Sequence, residues 1–457
     1  MRTRLEYMIR SRAVRPSELA RRAGYSRQLL ARMREGCRTL ARSENDVAAA
    51  LREITHEDLP RSAIFEERQP SVADLLAASS NRRLDKSRAG TEKLTLADQF
   101  LQMSDEAFAA VRAMLRSSLS SEAAARELLD VGEEILDRKP PRAEAIYSLA
   151  SDSVASLPHT PAALGHSLRG LAQKGRANAL RMMGKYKDAL AALVESEREF
   201  QAARYCKHEL GLARYCRATV LFKMEQWVEA YRAVHSARGF LEAEHDRAGV
   251  VNCDILMACI TLEWGELDRA REMFLALRKT VEGRRDYRRL ADLSMNLVVC
   301  NLRRRDTFEA GLWLGRAVRK FRELGLASEV TRARWCGATL ALAQGQRAHA
   351  LQEFKAAAAE FEALGMPLDA AFVKLELLGV LIEDKKWREA EPTAVSVANV
   401  FLTAGVRPSA ATALEYLREA VRKRSANAET VSRVTRHIRR AEVFPDEPFS
   451  SFTEGPA

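Results

Sequence analysis

Ala230, Ala270, Ala310, Ala350 and Ala390 recur at a constant step of 40 residues, and this repetition constrains the fold more than any other feature of the chain. Each alanine closes a short motif: Gln226-Trp227-Val228-Glu229-Ala230, Glu266-Leu267-Asp268-Arg269-Ala270, Asp306-Thr307-Phe308-Glu309-Ala310, Gln346-Arg347-Ala348-His349-Ala350 and Lys386-Trp387-Arg388-Glu389-Ala390. An earlier copy, Gly184-Lys185-Tyr186-Lys187-Asp188-Ala189, ends 41 residues before Ala230. A second motif keeps the same step: Phe321-x-x-Leu324-Gly325, Phe361-x-x-Leu364-Gly365 and Phe401-x-x-Ala404-Gly405. Two motifs locked to one period require a row of like supersecondary units, each covering its apolar face with the next.

Composition says what the units are made of. With 22 Gly and 13 Pro in 457 residues, and 47% hydrophobic beside 30% charged residues, the chain suits helices that each show one face to water. No run of about 18 uncharged apolar residues occurs, so no membrane span is expected. The charged start, Met1-Arg2-Thr3-Arg4-Leu5-Glu6, leaves no room for a secretory hydrophobic region, and the expectation is a cytoplasmic protein. Seven cysteines contain no C-x-x-C pair and eight histidines are dispersed, so neither a disulfide framework nor a metal site is expected. Walker, G-x-G-x-x-G, H-E-x-x-H and G-x-S-x-G patterns are absent, and neither an enzyme nor a cofactor is expected.

The N-terminal residues read differently. Leu5, Met8 and Ile9 share one face of a first helix that closes near Arg12. Pro16 suits the first turn of a second helix with Leu19, Ala20 and Ala23 inward, and Gly24 supplies the turn after it. Ser26 can cap a third helix, Arg27–Glu35, with Leu29, Leu30 and Met33 inward and Gly36 at its end. Ser43 with Asp46 reads as a capping box for a fourth helix carrying Val47, Ala50, Leu51 and Ile54, and a fifth short helix ends near Phe65. Residues 1–42 hold twelve arginines against Glu6, Glu18 and Glu35, most of the net charge of +11 of the whole chain. A basic module on a nearly neutral body is the footprint of a nucleic-acid binder.

The stretch Ser17-Glu18-Leu19-Ala20-Arg21-Arg22-Ala23-Gly24-Tyr25-Ser26-Arg27-Gln28-Leu29-Leu30-Ala31-Arg32-Met33-Arg34-Glu35-Gly36 resembles the Xre-type helix-turn-helix family of the lambda-repressor/Cro kind. The likeness rests on the E-L-A-x-x-A-G-x-S core and the terminal glycine, and covers about the first 65 residues. It implies a third helix lying in the major groove of DNA. Arg27, Gln28 and Arg32 would then read base edges, since Arg and Gln side chains make paired hydrogen bonds to guanine and adenine. Ser26, Arg34 and Arg38 would touch phosphates. Pro16 stands where the family often has a polar residue, which removes one usual phosphate contact.

After a linker over 66–93 and connector helices over 94–124, the G-x-Y/F-x-x-A motifs of residues 125–425 resemble tetratricopeptide repeats, lengthened from the usual unit of about 34 residues. The expected fold is all-α: a five-helix helix-turn-helix domain over 1–65, then a right-handed α-solenoid of helical hairpins, a capping helix over 426–443 and a disordered tail over 444–457. Aligning each repeat on its alanine places Asn178, Tyr215, Thr219, Asn252, Met295, Arg303, Arg332 and Trp335 on the first helices, which line the concave face in that family. The architecture resembles bacterial peptide-sensing regulators with tetratricopeptide arrays. The function expected is a homodimeric, sequence-specific regulator of double-stranded DNA whose array binds a peptide or protein effector. The alternative is a tetratricopeptide adaptor whose helix-turn-helix domain docks protein.

Overall fold

The computed structural model describes residues 3–35, 41–59, 61–65, 72, 76, 95–118, 121–155, 160–404, 407–444 and 449. Among them every regular element is an α-helix. No helix of the described residues is long and apolar enough to cross a membrane. Residues 1–250 form one compact unit and residues 251–457 a second.

The first unit begins with a bundle of α1 (Arg4–Ser11), α2 (Pro16–Ala23), α3 (Arg27–Glu35), α4 (Ala41–Thr55) and α5 (Arg61–Ile64). Leu5, Ile9, Leu19, Leu30, Met33, Leu51 and Ile64 close a core of its own. The Thr3 hydroxyl accepts the Glu6 amide and starts α1, a cap that contributes about 1 kcal/mol. Gly24 ends α2 at φ 72°, a left-handed backbone that costs glycine nothing. Ser26 accepts the Leu29 amide at 3.2 Å and starts α3.

The fourth helix departs from the expected start. It already runs at Ala41, so Ser43 and Asp46 lie inside it rather than forming a cap. Ser43 is buried, and the Asp46 carboxylate accepts the Tyr25 hydroxyl at 2.6 Å. Tertiary packing thus claims the side chain that a local cap would have used. Gly36 and Arg38 lie outside the described residues.

Most of the expected linker also lies outside them, but Val72 and Leu76 are helical and fully buried in the core of the first hairpins. The connector is α6 (Leu96–Gln102) and α7 (Asp105–Ser118). Arg142, only 3% exposed, holds it by donating to the carbonyls of Phe100 and Met103 and to Asp105, with its guanidinium over the Phe108 ring. Without those acceptors a buried guanidinium would cost several kcal/mol.

The array starts at α8 (Glu122–Ile135), which pairs with α9 (Pro140–Ala155). The following hairpins are α10/α11 (Ala162–Met182, Tyr186–Ala202) and α12/α13 (Lys207–Lys223, Trp227–Ala243), and α14 (Arg247–Glu263) leads to α15 (Leu267–Glu282). The second unit continues with α16/α17 (Tyr287–Arg303, Thr307–Glu323), α18/α19 (Ala327–Ala343, Arg347–Ala363) and α20/α21 (Pro367–Glu383, Trp387–Thr403). The last pair is α22 (Pro408–Arg422) and α23 (Ala428–Val443), and α23 packs on α20 as well as on α22. Within the expected tail Phe449 packs against Tyr416 and His437, with ring centroids 5.4 and 5.1 Å away.

The marker alanines Ala230, Ala270, Ala310, Ala350 and Ala390 are all 0% exposed, because a larger side chain there would push the two helices of a hairpin apart. Phe321, Phe361 and Phe401 fill the last turn of each second helix, and Leu241 and Val281 take the same place in earlier repeats. In the first unit, Tyr147 lies so close to Gly132 and Gly175 that a Cβ on either would stand 2.7 and 2.3 Å from its ring.

The turns reveal a finer period. A left-handed residue occurs every 20 residues at Glu225, His245, Gly265, Arg285, Arg305, Gly325, Gly345, Gly365 and Lys385. Each lets the next amide reach back to a carbonyl five residues earlier, as Glu266 does to Thr261 (3.2 Å) and Met366 to Phe361 (2.9 Å). Asp246, Asp286 and Asp306 serve twice: the amide closes the preceding turn, and the carboxylate accepts the amide of Gly249, Arg289 or Glu309 to start the next helix. This double use keeps the turns short at a cost of about 1–2 kcal/mol wherever a non-glycine holds the left-handed backbone.

Candidate functional site

Helix α3 sorts its residues cleanly. Leu30 and Met33 are buried, while Arg27, Gln28, Ala31, Arg32 and Glu35 are exposed. Arg27 and Arg32 have no ion-pair partner among the described residues, so their full charge faces solvent. Ser26 is exposed and occupied as the cap of α3, with its hydroxyl free to donate outward. Arg34, expected on a phosphate, is half-buried 3.7 Å from Glu6, and its carbonyl accepts the Thr3 hydroxyl. It braces α3 against α1 rather than projecting to a ligand. Arg22, on α2, is drawn to Glu18 and Glu53.

Sequence reasoning missed the outer face of α1. Arg4, Tyr7 and Arg10 fall on the side opposite Leu5, Met8 and Ile9 and tie the bundle to the array within the first unit. Arg4 pairs at 2.8 Å with Glu122, whose side chain is 1% exposed and which also accepts from Thr160. Arg10 donates to the Tyr205 carbonyl and meets Glu209 and Glu6, and Tyr7 lies edge-on to Tyr205. Burial alone would lower the Arg10 pKa, but Glu209 and Glu6 raise it above its ordinary value. A tyrosine on the polar side of an amphipathic helix was the available signal. Between bundle and hairpins lies a cleft of about 370 Å³, with Arg34 and Glu35 on one side and Leu171, Lys174 and Leu212 on the other.

All eight residues expected on the array's binding face do sit on first helices of hairpins, and the structure gives most of them structural partners. In the first unit the half-buried Asn178 of α10 is hydrogen-bonded to the Cys216 thiol of α12. Thr219 donates to the Cys216 carbonyl at 2.7 Å, and Tyr215 lies half-buried on the same helix. In the second unit Asn252 accepts from the Arg289 guanidinium at 3.0 Å. Met295 packs into the hydrophobic core. Arg303 grips Glu263 with both nitrogens (2.8 and 3.0 Å), and Arg332 pairs with Glu329 and Asp369. Trp335 packs edge-on to Phe361 and is hydrogen-bonded to Glu376. Burial pushes the Glu376 carboxyl up against the pull of Trp335, and burial beside Glu376 drives the Cys336 thiol up to about 11.

No protein-family model matches the sequence, and no curated protein matches it. Solved structures do. Aspartyl phosphate phosphatase F from Bacillus subtilis is 10% identical, with a TM-score of 0.50 over 87% of this chain and 93% of that one. The apo quorum sensor NprR from B. thuringiensis is 14% identical, with a TM-score of 0.45 over 72% of this chain and 97% of its own. The Rap conjugation gene regulator of plasmid pLS20, solved with the Phr* peptide, is 12% identical, with a TM-score of 0.41 over 94% and 97%. The first likeness shows a tetratricopeptide-like helical-repeat fold; at such identities it speaks to fold alone.

Proposed function

We propose that this protein is a non-enzymatic, cytoplasmic transcription regulator that binds double-stranded DNA through α3 and answers to a peptide or protein effector on the first helices of its array. The observation that carries the reading is the face of α3: Arg27, Gln28 and Arg32 exposed together on a capped helix, the arginines without acidic partners. Two paired contacts to base edges need such side chains unengaged in the free protein. A homodimer would place two copies of α3 on half-sites one helical turn, roughly 34 Å, apart. Asn178 and Asn252 support the effector half, since a carboxamide can match both donor and acceptor of a peptide backbone.

The adaptor reading draws on the ties between α1 and the hairpins, which show the bundle engaged with protein. Those ties use α1 and leave the exposed face of α3 available, and therefore favour the regulator. The test is a random-duplex selection with the full-length protein at physiological salt, beside Arg27→Ala/Gln28→Ala. A symmetric motif lost in the variant is expected. Failure to enrich any motif would sink the DNA-binding reading.

A further inference from the structure

Helix α10 carries Lys174, Asn178 and Arg181 at i, i+4 and i+7, one stripe spanning about 10 Å of helix. Both cations are half-buried and neither has an ion-pair partner among the described residues. Their helix neighbours are neutralised: Arg169 pairs with Glu199 at 3.1 Å and Arg176 with Glu144 at 2.7 Å. The stripe converges on α12, where Asn178 bonds the Cys216 thiol and the charges of Lys174 and Arg181 both bear on that sulfur. The thiol does not neutralise them, because burial raises its pKa and keeps it protonated. On α16 and α18, by contrast, Arg288, Arg289, Arg303, Arg332 and Arg334 all have acidic partners.

Two half-buried cations without counter-ions leave an electrostatic cost that a bound anion relieves. We infer that the α10/α12 face is a carboxylate-binding site, and that the effector it takes is an acidic peptide. The carboxylate lies between Lys174 and Arg181 and receives charge-assisted hydrogen bonds from both. Asn178 is placed between them for the adjoining peptide unit, with Tyr215 and Thr219 alongside on α12. Lys174 also lines the cleft whose other wall carries Arg34 and Glu35 of α3, so a carboxylate here sits beside the DNA-reading helix. The inference rests on the peptide-effector reading above and names the chemistry of that effector.

The experiment uses full-length protein and synthetic hexapeptide pools with either two Asp/Glu positions or Asn/Gln in their place, each pool as free acid and as C-terminal amide. Retained peptides are sequenced by mass spectrometry, then measured singly by fluorescence anisotropy on wild type and on Lys174→Gln/Arg181→Gln, with thermal melting as the folding control. Enrichment of peptides that depend on an acidic side chain or on a free C-terminus is expected, and the two arms separate those sources. The double Gln variant should bind them at least about tenfold more weakly, while Lys174→Arg/Arg181→Lys restores binding. Peptides that bind without an acid and bind both proteins equally overturn the carboxylate site but leave the peptide reading standing. No retained peptide at all overturns both. A variant that keeps its peptides but loses random-sequence DNA affinity, with a shallower salt dependence, assigns the two cations to the phosphate backbone and overturns the site.

Discussion

Arginine is used in opposite ways on α3 and on the first helices of the second unit. Arg27 and Arg32 are exposed and have no acid beside them among the described residues, whereas Arg303 lies on Glu263 at 2.8 Å and Arg332 on Glu329 at 3.1 Å. A paired arginine contributes a little to holding neighbouring repeats together and almost nothing to the field felt by a distant ligand. An unpaired one contributes nothing to the fold and keeps its charge for a partner. A chain rich in arginine throughout therefore has only a few places where the charge is available, and α3 and the Lys174–Arg181 stripe are two of them.

The comparison can be broken at several points. The largest effect is expected from Arg27→Ala/Gln28→Ala, which removes two base-reading side chains each worth about 1–3 kcal/mol of discrimination. Operator affinity should fall by roughly 30-fold or more while the melting temperature stays put; a variant that binds its operator as wild type does would show that α3 is merely a solvated face. Next comes Glu122→Ala, which strips the buried acceptor from Arg4 and Arg126. The loss should approach about 3 kcal/mol in urea unfolding of the first unit, with the bundle more susceptible to proteolysis. An unchanged midpoint would mean that α1 is not held by this charge. Smallest is Arg303→Gln: its half-exposed pair with Glu263 should cost below about 1 kcal/mol, with no change in affinity for DNA. If that substitution weakened DNA binding as much as the α3 variant, the division between paired and unpaired arginines would be wrong.

The legible parts of this fold were those fixed by neighbours in the chain. The bounds of α3 could be read because Ser26, Leu30 and Met33 are spaced for a capped amphipathic helix, and the repeat because Ala230 and its counterparts recur at the contact between helices. The start of α4 was misread because Ser43 and Asp46 make a plausible local cap, and Tyr25, 21 residues before Asp46, takes that carboxylate instead. The 20-residue half-period escaped detection because its left-handed residues are Glu, His, Arg and Lys as often as Gly. On the array, Asn252 was singled out, but not the Arg289 that occupies it from 37 residues away.

By itself, then, the sequence determined the all-helical class, the repeat and the solvent-facing side of α3, since each follows from periodicity and capping within one helix or one hairpin. Only the tertiary structure decided which charges remain available. Whether Arg34 faces a phosphate or Glu6, whether Arg303 is paired, and whether Lys174 and Arg181 lack an acid all depend on which side chains the packing of separate helices brings within about 4 Å. Electrostatic partnership is a property of distance in space, and a helical period measures distance only along the chain.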